Sequence, residues 1–73
     1  MVNIESRLII KNRIKVLRDE NKMTQQALAD AVDVTRATIN AMEKGAYNPS
    51  LELAFRLARF FKVDIQTIFF VED

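Results

Sequence analysis

Five basic side chains lie within twelve residues near the start of the chain, with no acidic residue among them: Arg7, Lys11, Arg13, Lys15 and Arg18. The formal net charge of the whole chain is only +1, so acidic residues elsewhere offset this stretch. A run of basic residues on a helix is either a solvated face or an electrostatic footprint that binds a polyanion. The composition does not choose between these two interpretations, and both stay open.

The residue types that most catalytic and metal chemistry needs are missing from the 73 residues. The chain has no Cys and no His, which excludes disulfides, thiolate zinc sites, histidine-ligated metals and an imidazole base. Its serines are Ser6 and Ser50, and Ser50 is placed to cap a helix. No pair of acidic residues stands out as a general acid and base. We therefore expect no enzyme activity, no metal and no cofactor.

The length allows one domain, residues 1–73, with a modest core. Chains this short often need a disulfide, a metal or a partner copy, and only the last remains, so a homodimer is expected. The longest apolar run, residues 68–71, is far shorter than the roughly 20 residues that span a bilayer. The first ten residues lack the basic-then-apolar pattern of a secretion signal. We therefore expect a cytoplasmic protein with no membrane partner.

Apolar periodicity and capping residues predict five helices. They are expected at about residues 11–21, 25–32, 36–44, 51–62 and 65–69. Thr24, Thr35, Ser50 and Asp64 each stand in front of a helix as an N-cap, and Gly45 follows the third helix. The helical face of the first segment includes Ile10, since it lies four residues before another isoleucine.

Two short β-branched or aromatic runs flank the helices, at residues 8–10 and 69–71. Each run fits either a helix end or a strand of three or four residues. An isolated two-stranded ribbon is marginal, but a ribbon packed on helices is more stable. We favour an antiparallel pair that joins the two ends of the chain.

The stretch 24–45, TQQALADAVDVTRATINAMEKG, predicts two short helices joined by about three residues. Its apolar positions fit a helix-turn-helix, in which two helices cross at a steep angle; they are Leu28, Val32, Val34, Ile39 and Met42. Ala29 is small where the second helix passes close by, and Asp33 is expected in the left-handed conformation at the turn. One face of the second helix then points outward: Arg36, Ala37, Asn40 and Ala41.

This segment resembles the Cro/cI-type (XRE family) helix-turn-helix transcriptional regulators, which include phage repressors and small bacterial and archaeal regulators. The pattern T-Q-x-x-L-A…V-T-x-x-x-I-N-x-M-E-K-G-x-Y-N-P-S carries the resemblance, which covers roughly residues 9–70. It implies an all-α fold, a compact five-helix lambda-repressor-like DNA-binding domain. The short dimeric repressors that it resembles most add a small antiparallel β-ribbon formed by the two termini. Asp33 departs from the family, which usually has Gly there.

The resemblance implies that the helix of residues 36–44 enters the major groove of double-stranded DNA. The DNA contacts that it implies are Gln25, Gln26, Thr35, Arg36, Ala37, Thr38, Asn40, Ala41, Lys44, Tyr47 and Asn48. Arg36 is expected to read a base, because a guanidinium bonds two acceptors of guanine, with a phosphate contact as the alternative. Gln25 is expected to touch phosphate together with the N–H groups of its helix start. Tyr47 is expected either to hold the flanking backbone or to pack under its loop.

Arg18 and Glu43 occupy positions that pair across the first and third helices in this family. A partly buried bidentate bond between them would orient the recognition helix. Glu43 is therefore excluded from the expected DNA contacts, since an unpaired carboxylate would repel phosphate.

The last third of the chain holds more apolar residues than two short helices can turn inward. These residues are Phe55, Phe60, Phe61, Ile65, Ile68, Phe69 and Phe70. Phe61 and Ile68 are expected in the core. The resemblance favours a twofold interface made by Ile65 with Phe69 or Phe70. A symmetric dimer places two recognition helices about 34 Å apart and reads a palindrome.

Together these features predict a sequence-specific DNA-binding transcriptional regulator, a repressor that binds a palindromic operator as a homodimer and blocks a promoter. The alternative is an antitoxin or another protein-interaction module on the same fold, which the apolar C-terminus favours. No small-molecule ligand is expected, because five short helices leave no spare volume for a pocket.

Overall fold

The computed structural model describes residues 8–72, which form five helices and two strands. The elements follow the chain in the order β1 (Ile9–Asn12), α1 (Ile14–Glu20), α2 (Gln25–Ala31), α3 (Arg36–Glu43), α4 (Leu51–Phe61), α5 (Ile65–Ile68) and β2 (Phe69–Glu72). This confirms the predicted five-helix architecture with a ribbon made from both ends. Helices α2 to α5 each end one residue earlier than the periodicity predicts.

The first helix begins at Ile14, about three residues later than predicted. Residues 9–12 pair with β2 instead, so Ile10 lies in a strand and not on a helical face. A run this short fits helical and strand periodicity equally well, and the available pairing partner decides the outcome. Asn12 marks the boundary, because its Oδ1 accepts a hydrogen bond from the Ile14 N–H at 3.1 Å.

The ribbon is antiparallel, with Ile10 opposite Val71 and Asn12 opposite Phe69. The Arg13 N–H extends the pairing by donating to the carbonyl at the end of α5 at 2.8 Å. The Asn12 Nδ2 donates to the Met42 carbonyl in the last turn of α3 at 2.9 Å. The ribbon therefore ties the start of α1 and the end of α5 to the end of α3.

The predicted N-caps of the middle helices are confirmed. Thr24 accepts from the Ala27 N–H at 3.0 Å, and Thr35 and Ser50 each accept from the N–H three residues on at 3.2 Å. Asp64 stands at the N-cap position of α5, but its side chain makes no capping hydrogen bond, so this predicted cap is wrong. Capped starts separate α2 from α3 as two distinct short helices.

One or two residues after the end of each of helices α1 to α4, the chain has a residue with a left-handed backbone, and a closing hydrogen bond follows it. These residues are Lys22 (φ 55°), Asp33 (φ 61°), Gly45 (φ 77°) and Lys62 (φ 58°). In each case the next N–H bonds to the carbonyl five residues earlier, at 2.9 to 3.0 Å, which satisfies a carbonyl that the helix end leaves free. The predicted left-handed turn at Asp33 is confirmed.

The core lies where all five helices meet. Its largest fully buried side chains are Ile14, Leu28, Ile39, Met42, Leu57 and Ile68. Every helix contributes at least one of them, and each such side chain stabilises the fold by about 1.5–3 kcal/mol relative to exposure. Within residues 8–72, none of the helices has the length and apolar character needed to cross a membrane.

Candidate nucleic-acid interface

Helix α3 is seated on the core by one face only. Ile39 and Met42 are fully buried, whereas Arg36 and Ala37 in the first turn are exposed. Asn40 and Ala41, one turn further on, are half-buried. The start of α3 is therefore the accessible part of the predicted outward face, since Arg36 and Ala37 are exposed and Asn40 and Ala41 are half-buried.

The first turn of α3 combines a hydrogen-bonded pair of hydroxyls with an exposed cation. Thr35 Oγ1 lies 3.0 Å from Thr38 Oγ1 and also accepts the Thr38 N–H. Among residues 8–72, no acidic side chain lies within ion-pair distance of Arg36. A guanidinium with all its donors available, next to ordered hydroxyls, suits the recognition of base edges or phosphates.

A network of side chains, which we call the polar junction, joins α1, α2 and α3. It consists of Arg18, Gln25, Asn40 and Glu43. The Arg18 Nε and Nη2 donate to the two Glu43 oxygens at 2.8 and 3.1 Å, the predicted bidentate pair. The Gln25 Nε2 donates to Glu43 Oε1 at 3.1 Å and to Asn40 Oδ1 at 3.3 Å. The junction thus orients Gln25 and Asn40, two of the predicted DNA contacts.

The Arg18–Glu43 pair is ionised and nearly buried, with side chains 12% and 7% exposed. Burial alone raises the pKa of Glu43, but hydrogen bonds from Arg18 and Gln25 and the charges of Arg18 and Lys15 outweigh it, leaving the pKa below its ordinary value. The hydrogen bond to Glu43 likewise raises the pKa of Arg18. The carboxylate is therefore neutralised within the chain and does not repel a neighbouring anion.

The remaining predicted DNA contacts make few hydrogen bonds with the rest of the chain. Gln26 donates to Asp30 one turn along α2, at 2.8 Å. Lys44 caps the end of α3 and is exposed, as is Asn48 in the following loop. Tyr47 keeps 43% of its surface exposed, which favours a role at the surface over packing under the loop.

The three predicted dimer residues have different surroundings. Ile65 lines an open groove between α4 and α5. Phe69 packs against the core. Phe70 lies in β2, where the Arg13 guanidinium sits 5.0 Å from the ring centroid, a cation–π distance.

Asn12 was missed as a positioning residue, although it connects the ribbon to both α1 and α3. Its signal was present in the sequence, since an Asn in front of an apolar periodic run is a common helix-start residue. The Gln25–Asn40 contact was also missed. It joins residues fifteen apart, so nothing in the local pattern identifies the pair.

Comparison with known proteins gives the family. The helix-turn-helix family model matches residues 14–68. A relative from Methanocaldococcus jannaschii, named an uncharacterized HTH-type transcriptional regulator, is 50% identical over 64 residues, which is 88% of this chain and 97% of the relative. The transcriptional repressor RstR of the cryptic phage CTXphi, from Vibrio cholerae, is 35% identical over 57 residues, covering 78% of this chain and 51% of RstR.

A solved structure supports the same assignment. The crystal structure of a candidate DNA-binding protein from Bacteroides fragilis superimposes with a TM-score of 0.75 at 28% identity, over 84% of this chain and 98% of that one. The chain therefore belongs to the helix-turn-helix family, in agreement with its resemblance to the XRE-type regulators.

Proposed function

We propose that the protein is a transcriptional repressor that binds a palindromic site in double-stranded DNA as a homodimer. The observation that carries the proposal is the seating of α3. Its apolar side is buried, and its first turn presents Arg36 free of any ion pair within residues 8–72. In a helix-turn-helix, the start of the second helix contacts base edges in the major groove.

The proposed contacts fall into two groups. Arg36, Ala37, Asn40 and Ala41 line the outer side of α3, where a guanidinium and an amide bond base edges and the two methyl groups contact thymine. The other group holds the DNA backbone and consists of Gln25, Gln26, Thr35, Thr38, Lys44, Tyr47 and Asn48. Gln25 acts there through its main-chain N–H, because its amide already donates to Asn40 and Glu43. Backbone contacts of this kind set the register of the protein on the duplex.

The homodimer is proposed to form through the groove between α4 and α5. Leu51 and Phe55 are 72% and 52% exposed there, and they lie beside Ile65. The groove also carries charges of both signs, from Arg59, Lys62 and Asp64. A twofold contact brings the same patch of two copies together, so an apolar strip that carries both signs of charge can pair its positive groups with the negative groups of the second copy.

The experiment that tests the proposal is selection of bound DNA from a random pool, followed by gel-shift titration of the selected site. We expect two inverted half-sites with centres one helical turn apart. Affinity should fall steeply as salt rises, because neutralised phosphates release counterions. A selection that returns no consensus sequence, or an affinity that does not change with salt concentration, would contradict the proposal and favour a protein-interaction module.

Arg36→Ala tests the role of α3 directly. We expect a loss of about 1–3 kcal/mol at one base position and relaxed specificity at that position. The measurement is competition between the selected site and single-base variants of it. An equal loss of affinity for all DNA sequences would instead show that Arg36 contacts a phosphate. An unchanged affinity would show that the start of α3 does not contact the DNA.

A further inference from the structure

The structure separates the members of the basic stretch near the start of the chain. Arg18 belongs to the polar junction, Arg13 lies over an aromatic ring, and Lys11 lies 4.0 Å from a carboxylate of β2. Arg7 is outside the described residues. Lys15 is exposed, and within residues 8–72 no acidic side chain lies within ion-pair distance of it.

Lys15 nevertheless shares a face of α1 with Arg18, a member of the polar junction. It lies on α1 three residues before Arg18, so both side chains are on one face of the helix. Its charge is near enough to Glu43 to help lower the pKa of that carboxyl. Glu43 already accepts two hydrogen bonds from Arg18 and one from Gln25. Arg18 and Gln25 therefore satisfy the Glu43 oxygens without the ammonium group of Lys15.

The position of Lys15 matters because Gln25, a proposed DNA contact, belongs to the same polar junction as Arg18. Gln25 is the first residue of α2, and its side chain contacts Glu43 at 3.1 Å. Arg18, on the face of α1 that Lys15 shares, and Gln25 on α2 thus bond the same carboxylate from two helices. A backbone phosphate at the start of α2 would face this side of α1, where the flexible four-carbon side chain of Lys15 is exposed.

We infer that Lys15 binds the DNA backbone at the start of α2, as a second contact beside Gln25. This inference rests on the proposed function and adds a residue of α1 to the interface. Lys15 contributes charge and no base recognition, because an ammonium group bonds phosphate as a point charge. Of the basic residues that the structure describes, Lys15 then binds DNA, while Lys11, Arg13 and Arg18 make contacts within the chain.

The test is the salt dependence of binding to the selected operator by full-length Lys15→Gln. Each phosphate contact contributes about 0.9 to the slope of log affinity against log salt. A dimer has two copies of Lys15, so the slope should become shallower by about 2, with the order of base preferences unchanged. Lys15→Arg should keep the wild-type slope.

Lys11→Gln is the matched control, since it removes the same charge four residues away where β2 already supplies a carboxylate at 4.0 Å. Its slope should equal that of the wild type. An unchanged slope for Lys15→Gln, or equal changes in both variants, would overturn the inference. If the wild type itself binds no specific site, the proposed function fails instead. Thermal unfolding of each variant checks that it is folded.

Discussion

The α3 side of the molecule and the groove between α4 and α5 are both accessible, but they are built differently. On the α3 side, the polar junction holds Gln25 and Asn40 by hydrogen bonds of 3.1 to 3.3 Å within one chain. In the groove, Leu51 and Phe55 are mostly exposed and Ile65 is half-covered. The first surface is complete in a single chain, whereas the second leaves apolar area in water.

The difference indicates what each surface needs from outside the chain. Ordered polar groups bind a ligand without first losing conformational freedom, which preserves affinity. Exposed apolar groups gain most when a second surface removes them from water. We therefore expect substitutions in the polar junction to act on stability within one chain, and substitutions in the groove to act on association.

The largest effect is expected from breaking the ion pair of the polar junction. Arg18→Met leaves the Glu43 carboxylate nearly buried without its partner, and removing one partner of a buried pair costs about 3 kcal/mol or more. A chain of this size has about 3–5 kcal/mol of stability in total. Chemical denaturation at neutral pH should therefore show a partly or largely unfolded variant.

Adding Glu43→Leu to Arg18→Met is the control, because replacing both charges by apolar groups is often neutral or stabilising. The double variant should regain most of the lost stability, yet bind the operator more weakly, since Gln25 loses its carboxylate partner. A double variant as unstable as Arg18→Met would show that packing, and not the unpaired charge, sets the cost.

The same ion pair predicts how stability depends on pH. The pKa of Glu43 is lowered in the folded state, so the pair stabilises the fold fully above the ordinary glutamate value of 4.5. This contribution is lost as the pH falls from there through the lowered pKa, because the unfolded state then binds the proton more readily. Glu43→Gln lacks this carboxyl, and its free energy of unfolding should change less between pH 7 and acid.

The next effect concerns the groove. Phe55→Glu places a charge on the proposed twofold contact, and we expect a monomer in analytical ultracentrifugation. Loss of the dimer should weaken operator binding by about 100-fold, or about 2.7 kcal/mol. The free energy of unfolding of the variant should match that of the wild type diluted until it is monomeric, since association itself stabilises the folded state. A substitution in the groove would then act on association, whereas a substitution in the polar junction acts on the stability of one chain.

Val16→Glu is the control for Phe55→Glu. Both wild-type side chains are 52% exposed, but Val16 lies on α1 and does not line the groove. The control should remain a dimer. If both variants dimerise like the wild type, the groove is not the interface. If Val16→Glu alone is monomeric, the interface lies on the α1 side.

The sequence predicts the helices well where local chemistry decides the structure. Capping by Thr24, Thr35 and Ser50 and the left-handed turn at Asp33 depend on neighbouring residues, and all four are confirmed. The start of α1 depends on a strand partner about sixty residues away, such as Val71 opposite Ile10. A local pattern does not contain that information, and the predicted helix start was wrong there.

The same distinction applies to the candidate site. The outward face of α3 follows from periodicity, and the family resemblance adds the Arg18–Glu43 pair, which the structure confirms. The bonds of Asn12 to α3 and of Gln25 to Asn40 are set by how three elements meet. Such contacts require the packed structure, because many polar pairs are equally compatible with the sequence pattern.

The smallest effect compares the turns that border the two surfaces. Asp33 ends the segment before α3, and Lys62 ends α4 beside the groove, both with a left-handed backbone at φ 61° and φ 58°. A left-handed residue costs most side chains about 1–2 kcal/mol, but Asp tolerates it better than Lys, and glycine carries no such cost. Glycine also loses more backbone freedom on folding, so the net gain is smaller than the strain relieved.

We therefore expect Lys62→Gly to raise the free energy of unfolding by about 1 kcal/mol and Asp33→Gly by about half as much. Both are measured by the shift of the denaturation midpoint. Alanine at the same positions is the matched control and should give no gain, because it keeps the left-handed penalty. If Asp33→Gly gains more than Lys62→Gly, then Asp33 is the more strained residue. The turn that positions α3 would in that case hold strain that the turn beside the groove lacks.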